Sequence, residues 1–141
     1  MYQIESNEML NSLIFNIEQT VANAKEKLAT SVNSTITETY WQIGKYIVET
    51  EQDGKIKASY GKKLLTTLSH ELTLRLGKGY SRPNLNNMRK FYLKYPNCQT
   101  VSDKLSWSHI CELIKLDDDL ERSFYERQTV KTGVLENFSD R

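Results

Sequence analysis

Apolar positions in the first third of the chain recur at alternating spacings of four and three residues. The set is Leu10, Ile14, Ile17, Val21, Ala24 and Leu28, continued by Val32, Ile36, Tyr40, Ile43 and Ile47. This period places the side chains along one face of an α-helix. The polar stretch 30–35 has poor helix propensity. The pattern therefore predicts either one long helix that ends near Glu51 or two helices that meet near Thr30.

An apolar stripe of this length needs a partner surface. It can pack on its own domain, or it can pair with a second copy as a coiled coil. The sequence leaves both readings open, and the second predicts a homo-oligomer formed through residues 7–51.

Two amphipathic helices joined by a short turn follow. Residues 59–76 carry a predicted buried face, with Ser59 available as the N-cap. Segment 77–81 contains two glycines that can take positive φ and turn the chain sharply. Ser81 then caps the next helix, and Pro83 fits in its first turn, where the missing N–H does no harm. The predicted buried face consists of Leu64, Leu65, Leu68, Leu72 and Leu76.

Two shorter helices are predicted near the C-terminus. Ser106 opens one that carries Ile110, Leu113, Ile114 and Leu116. The other starts in the acidic cluster 117–119, carries Leu120, Phe124 and Tyr125, and ends at Gly133. The predicted fold is an all-α helical bundle that contains a helix-turn-helix, with a winged-helix-like variant left open. Its predicted parts are an N-terminal helix or helix pair (1–54), the basic helix-turn-helix segment (55–96), C-terminal helices on the core (97–133) and a disordered tail (134–141).

Positive charge is concentrated in the middle of the chain. From Lys55 to Tyr95 there are ten basic residues and one acid, Glu71, although the formal net charge of the whole chain is only +1. The 54 residues before this segment carry a net charge of −5 and the 46 residues after it carry −3. A chain that gathers its positive charge in one segment is expected to present that segment to a polyanion.

The helix after Ser81 has two chemically different faces when its residues are placed at 100° intervals. Leu85, Met88, Tyr92 and Tyr95 share an apolar face, whereas Arg82, Asn86, Arg89, Lys90 and Lys94 lie opposite, with Asn87 at the edge. In the major groove, Asn can pair with adenine and Arg with guanine. We therefore predict duplex DNA as the partner, with base contacts from Arg82, Asn86, Asn87 and Lys90. Phosphate contacts are predicted for Lys62, Lys63, Lys78, Arg89 and Lys94.

Two other interpretations of this basic face were weighed. It can simply be the solvated surface of a bundle. RNA fits the charge pattern less well, because no aromatic stacking platform is clustered on the basic face.

The sequence offers no complete set of catalytic residues. His70 has no Ser or Cys partner nearby in sequence. Glu112 and Lys115 are three positions apart, whereas the PD-(D/E)XK nuclease motif needs its Glu and Lys two apart on a strand. Phosphate-loop and dinucleotide motifs are missing. We therefore predict no enzymatic activity, no cofactor and no small-molecule substrate.

Cysteine usage and hydropathy give further expectations about metal binding, membrane association and location in the cell. Cys98 and Cys111 do not form a disulfide framework or a Cys-x-x-Cys pair, so buried, reduced thiols are expected instead of a metal site. The apolar runs are too short for a membrane span, and the N-terminus does not read as a signal peptide. A cytoplasmic location without membrane association is predicted by elimination.

Several motifs resemble those of a known family. In order along residues 31 to 128 they are YWQIG, YGKKLL, GKGYSRPNLNNMRKFY and LSWSH. Together they are similar to the N-terminal domain of the YhcG-type nuclease family. The resemblance implies a helical, DNA-binding domain of helix-turn-helix or winged-helix type, which in longer relatives precedes a PD-(D/E)XK nuclease domain.

The sequence departs from that family at its C-terminal end. Relatives continue through a Trp-Ser-x-Arg-Glu-Leu segment into the nuclease, whereas residues 131–141 read KTGVLENFSDR. The resemblance therefore implies the DNA-binding part without the nuclease motif. The chain is expected to be a truncated relative, an excised domain or a stand-alone paralogue.

Overall fold

The protein is helical throughout the part of the chain that the structure describes. This computed structural model describes residues 2–52, 63–97, 101 and 103–133, with side chains from residue 7 onward. Within these ranges it has five helices and no strand, which confirms the all-α prediction there and provides no β wing. None of these helices is long and apolar enough to cross a bilayer. The helices are α1 (Tyr2–Gln52), α2 (Leu64–Leu76), α3 (Arg82–Lys94), α4 (Trp107–Leu113) and α5 (Asp119–Thr132).

Helix α1 is one continuous helix rather than a pair that meets near Thr30. It runs from Tyr2 to Gln52, so the predicted end near Glu51 is confirmed within one residue. The poor helix formers at 30–35 cost only tenths of a kcal/mol each. Tertiary packing of an amphipathic face outweighs a cost of that size.

The chain divides into two compact units, Met1–Val32 and Asn33–Arg141. In the first unit, the large apolar side chains of α1 are between 44% and 73% exposed. In the second unit the same helix is used differently, because Ile47 and Val48 are only 4% exposed. The homo-oligomer predicted through residues 7–51 remains untested, although the C-terminal part of that range already packs within its own unit. The exposed apolar residues that share one side of α1 in the first unit, which we call the α1 stripe, are Leu10, Leu13, Ile14, Ile17, Val21, Leu28 and Val32.

Helix α3 contributes to both apolar clusters of the second unit. Leu85 and Met88 pack with Ile47 and Leu64. Phe91, which the two-face analysis left unassigned, is fully buried in the other cluster with Leu105, Ile110, Leu113, Ile114 and Tyr125. This double packing holds α3 in place on its apolar side and leaves its opposite side available.

Local capping chemistry defines several helix ends as predicted. The Ser81 hydroxyl accepts a hydrogen bond from the Asn84 amide, and Pro83 lies in the first turn of α3. Ser106 forms a capping box with His109 at the start of α4. Helix α5 starts with Asp118 as its N-cap. It ends at Gly133, which adopts the left-handed conformation with φ of 70°.

Helix α2 ends at Leu76 as predicted but departs from its prediction at its start and in the burial of its last turn. It begins at Leu64 with Lys63 as N-cap, while the predicted cap Ser59 lies outside the described residues. Leu64 is buried, but Leu76 is 63% exposed, so its predicted burial is wrong. Leu65, Leu68 and Leu72 are half-buried, and Leu68 and Leu72 line an open apolar groove against α1. The reason is that α1 covers the N-terminal part of the leucine face and not its last turn.

Candidate nucleic-acid interface

The turn between α2 and α3 is built as predicted, with two glycines in conformations that other residues rarely adopt. Gly77 has φ of 93° and Gly79 has φ of 109°. Asn84 fixes the turn, because its Nδ2 donates to the Gly79 carbonyl at 2.6 Å and its Oδ1 accepts from Trp107 Nε1 at 2.8 Å. The turn is thus tied to α4. The sequence analysis missed this role of Asn84, since it depends on a tryptophan 23 residues away.

One face of α3 remains accessible. Arg82 and Lys90 are exposed, and Asn86 lies between them, half-buried. Their spacing of four places them along one side of the helix. Leu93, which the sequence analysis did not assign to either face, is 47% exposed and falls on the same side. We call Arg82, Asn86, Lys90 and Leu93 the α3 face.

Four of the predicted cationic contacts form no close ion pair among the described residues, although the charge of Lys90 contributes, after Lys94, to lowering the pKa of Asp117. Arg82, Lys90, Lys63 and Lys78 are all exposed and take part in none of the ion pairs found there. Lys62, the remaining lysine of the predicted α2 pair, lies outside the described residues. The four unpaired side chains can therefore meet an external anion without first breaking an internal contact.

Arg89 has an internal partner instead. Its Nε and Nη2 donate to the Glu51 carboxylate of α1 at 2.7 and 3.1 Å. A two-point guanidinium–carboxylate pair is among the stronger polar contacts in proteins. The phosphate contact predicted for Arg89 remains untested, but the geometry assigns this side chain to fastening α3 onto α1.

Lys94 also has a structural position. Its Nζ donates to the backbone oxygens of Ile114 and Leu116 at 2.6 and 3.2 Å, and to Asp117 Oδ1 at 2.7 Å. A cation at the end of α4 satisfies carbonyls that have no partner within the helix. The hydrogen bond and charge of Lys94 lower the pKa of Asp117. A phosphate would have to displace all three acceptors, so we exclude Lys94 from the proposed interface.

Asn87 faces α4 and not the accessible side of α3. It is half-buried, and its Nδ2 lies 3.6 Å from Cys111 Sγ, to which it donates. Burial raises the pKa of the Cys111 thiol to about 11. The thiol is therefore protonated at neutral pH, and Cys111 is half-buried where the sequence predicted a buried thiol. The base contact predicted for Asn87 is untested, and its orientation argues against it.

The described residues contain no group of three or more His, Cys, Asp or Glu side chains arranged to hold a metal ion. Cys98, the other cysteine, lies outside them. The candidate interface can donate hydrogen bonds and offer positive charge. The groups that do so are the α3 face, Lys63 next to α2 and Lys78 in the turn.

Comparison with known proteins gives the chain its family. The DUF1016 N-terminal domain model matches residues 16–139. A protein of Escherichia coli (strain K12) named "Putative nuclease YhcG" is 33% identical over 80% of this chain. The chain spans only 39% of that relative's length. No solved structure matches. Since the family model covers most of the sequence, the chain belongs to the DUF1016 N-terminal domain family and is similar to the N-terminal domain of YhcG-like proteins.

Proposed function

We propose that this domain binds duplex DNA, with α2 and α3 as a helix-turn-helix and the α3 face in the major groove. The observation that carries the proposal is the row of Arg82, Asn86 and Lys90 on an accessible side of a helix whose other side is anchored in two apolar clusters. A recognition helix needs this division, because one side must be held rigidly while the other reaches base edges. The printed name of the Escherichia coli relative agrees, since a nuclease must hold a nucleic acid.

The contacts divide by chemistry. Asn86 and Lys90 suit base edges, and the exposed Leu93 suits a thymine methyl group. Lys63 and Lys78 suit phosphates, because each carries an exposed ammonium group. Lys63 immediately precedes α2, and Lys78 lies in the turn between α2 and α3. Relative to the sequence-based set, this proposal gives no DNA contact to Asn87, Arg89 or Lys94.

A salt titration with three ligands tests the proposal. We expect the chain to bind a 20-base-pair duplex more tightly than single-stranded DNA or RNA of the same length. The phosphate contacts of Lys63 and Lys78 predict that log K falls against log salt with a slope of about −2 or steeper. Fluorescence anisotropy at several salt concentrations measures both quantities. A slope near zero, or preference for either single strand, would refute the proposal.

A second function is favoured by a separate observation, the exposure of the α1 stripe. Leu28 and Leu10 are 65% and 53% exposed on a helix segment that has no other element within its unit. Spacings of four and three make this stripe self-complementary, so we propose that a second copy of the chain covers it. Glu18 and Lys25, which flank the stripe with opposite charge, allow two copies to approach without net repulsion.

Placing charge in the stripe should separate the copies. We expect Ile17→Lys with Val21→Lys to give a monomer, because an ammonium group inside a helix pair loses its hydration. The matched control, Asn16→Lys with Asn23→Lys, adds the same charge on the polar side and should leave association unchanged. Sedimentation velocity over a hundredfold concentration range distinguishes the two. A wild-type chain that is monomeric at about 100 μM would exclude this function.

A further inference from the structure

A cleft with several polar side chains but a mostly apolar lining surface lies between α2 and the first residue of α3. It is lined by Thr66, Ser69, His70, Thr73, Leu74 and Arg82, with a volume of about 370 Å³. These α2 residues lie on the side of the helix away from its leucine face. The cleft is therefore a second surface next to the α3 face, and apart from Arg82 its residues have been given no role above.

The hydroxyl groups of this cleft are free to donate. Thr39 and Thr50 of α1 donate to the carbonyls four residues before them, as helical threonines commonly do. By contrast, Thr66, Ser69 and Thr73 make no side-chain hydrogen bond with any described residue. Three unused hydroxyl donors on adjacent turns of one helix form a row that an extended anionic chain can follow.

The charge of the cleft is positive. Arg82 has no carboxylate partner among the described residues, and no acidic side chain lines the cleft. The nearby Glu71 is paired with Arg75 at 3.5 Å. One guanidinium and several neutral donors match a phosphodiester, which carries a single negative charge and offers only acceptors.

We propose that this cleft holds a phosphodiester of the DNA backbone, with Arg82 and the hydroxyls of Thr66, Ser69 and Thr73 as its donors. The inference rests on the proposed DNA binding and makes it more specific. It moves Arg82 from base recognition to backbone recognition and leaves the bases to Asn86, Lys90 and Leu93. Variants of Arg82 should then weaken binding to every duplex sequence by the same factor, whereas variants of Asn86 should change sequence preference.

The test removes the hydroxyls without changing charge. We expect T66V/S69A/T73V to weaken duplex binding about tenfold, by the same factor for two unrelated sequences, since hydrogen bonds to charged groups are lost. The slope of log K against log salt should stay as in the wild type. Arg82→Gln should instead reduce the steepness of that slope by about one, because one cation is lost. Thr67→Val, on the same helix but outside the cleft, is the matched control and should bind like the wild type.

A second measurement uses the wild-type protein and so does not depend on folding of the variant. Each backbone phosphate of the duplex is replaced in turn by an uncharged methylphosphonate. Several positions should weaken wild-type binding, and at one of them the triple variant and Arg82→Gln should lose little more. Equal affinity of the triple variant and the wild type, with no such position, would overturn the cleft while duplex binding by the wild type stands. Failure of the wild type to bind duplex DNA would overturn the proposed function and the cleft together.

Discussion

Reversing the charge of Arg82 and Lys90 together is expected to reduce duplex affinity at least a hundredfold. Both side chains are exposed on α3, with no ion-pair partner among the described residues, so neither is needed to hold the fold. Each lost DNA contact costs about 1–3 kcal/mol, and each new carboxylate adds repulsion from the phosphates. Anisotropy titration at near-physiological salt measures the loss, and the far-ultraviolet circular dichroism signal should remain that of the wild type.

The control for this double variant lies on α5. Arg127 and Lys131 are also exposed and also four residues apart on a helix. Reversing both makes the same change in net charge, so it separates a local interface from a general attraction of a positive protein to DNA. Equal losses in the two double variants, or no loss in either, would contradict the assignment of the α3 face.

Replacing Gly44 by alanine is expected to lower the free energy of unfolding by about 3 kcal/mol, because packing against a backbone cannot adjust as a side chain can. A methyl group at Gly44 would lie 2.0 Å from the Met88 carbonyl oxygen of α3. The helices must therefore separate locally. The same movement would strain the contacts of Ile47 and Leu64 with Met88 in their shared cluster. Urea unfolding followed by circular dichroism measures the change.

The direction of the change in stability distinguishes close helix packing from helix propensity. Helix propensity alone predicts that glycine to alanine in the middle of a helix stabilises the protein by about 1 kcal/mol. Glu38→Ala, at an exposed position of the same helix, is the control and should stay within about 0.5 kcal/mol of the wild type. A Gly44→Ala variant more stable than the wild type would show that α1 and α3 do not approach this closely.

Such a contact has no signature in the sequence. From the sequence alone, Gly44 is a neutral or weak helix former. Only the close approach of α1 to α3 explains why a side chain is excluded at this position. Phe91 was similarly left without a face, yet it is fully buried beneath α4 and α5 because α3 is covered by more than one neighbour. Residue spacing gives the direction in which each side chain leaves the helix. How many of these directions are buried depends on how many neighbouring helices pack against it.

The candidate interface was predicted in part. The basic side of α3 could be read from residue spacing, since the division of a helix into faces follows from its own period. The sequence did not show which cations on that side have an internal partner and which do not. Arg89 is paired with a glutamate 38 positions away, and Lys94 binds a carbonyl 20 positions away. These partners meet the cations only after the helices have packed.

The sequence by itself determined the starts of α3, α4 and α5, the glycine turn and the sign of the central charge. Caps at Ser81, Ser106 and Asp118 act over two or three residues, so local chemistry is sufficient to set them. Only the tertiary structure decided which apolar stripe is buried and which charges are available, because burial and ion pairing join residues far apart in the chain. Helix α1 illustrates the two contributions. Its apolar spacing of four and three residues runs along a single helix, but packing buries Ile47 and leaves Leu28 exposed.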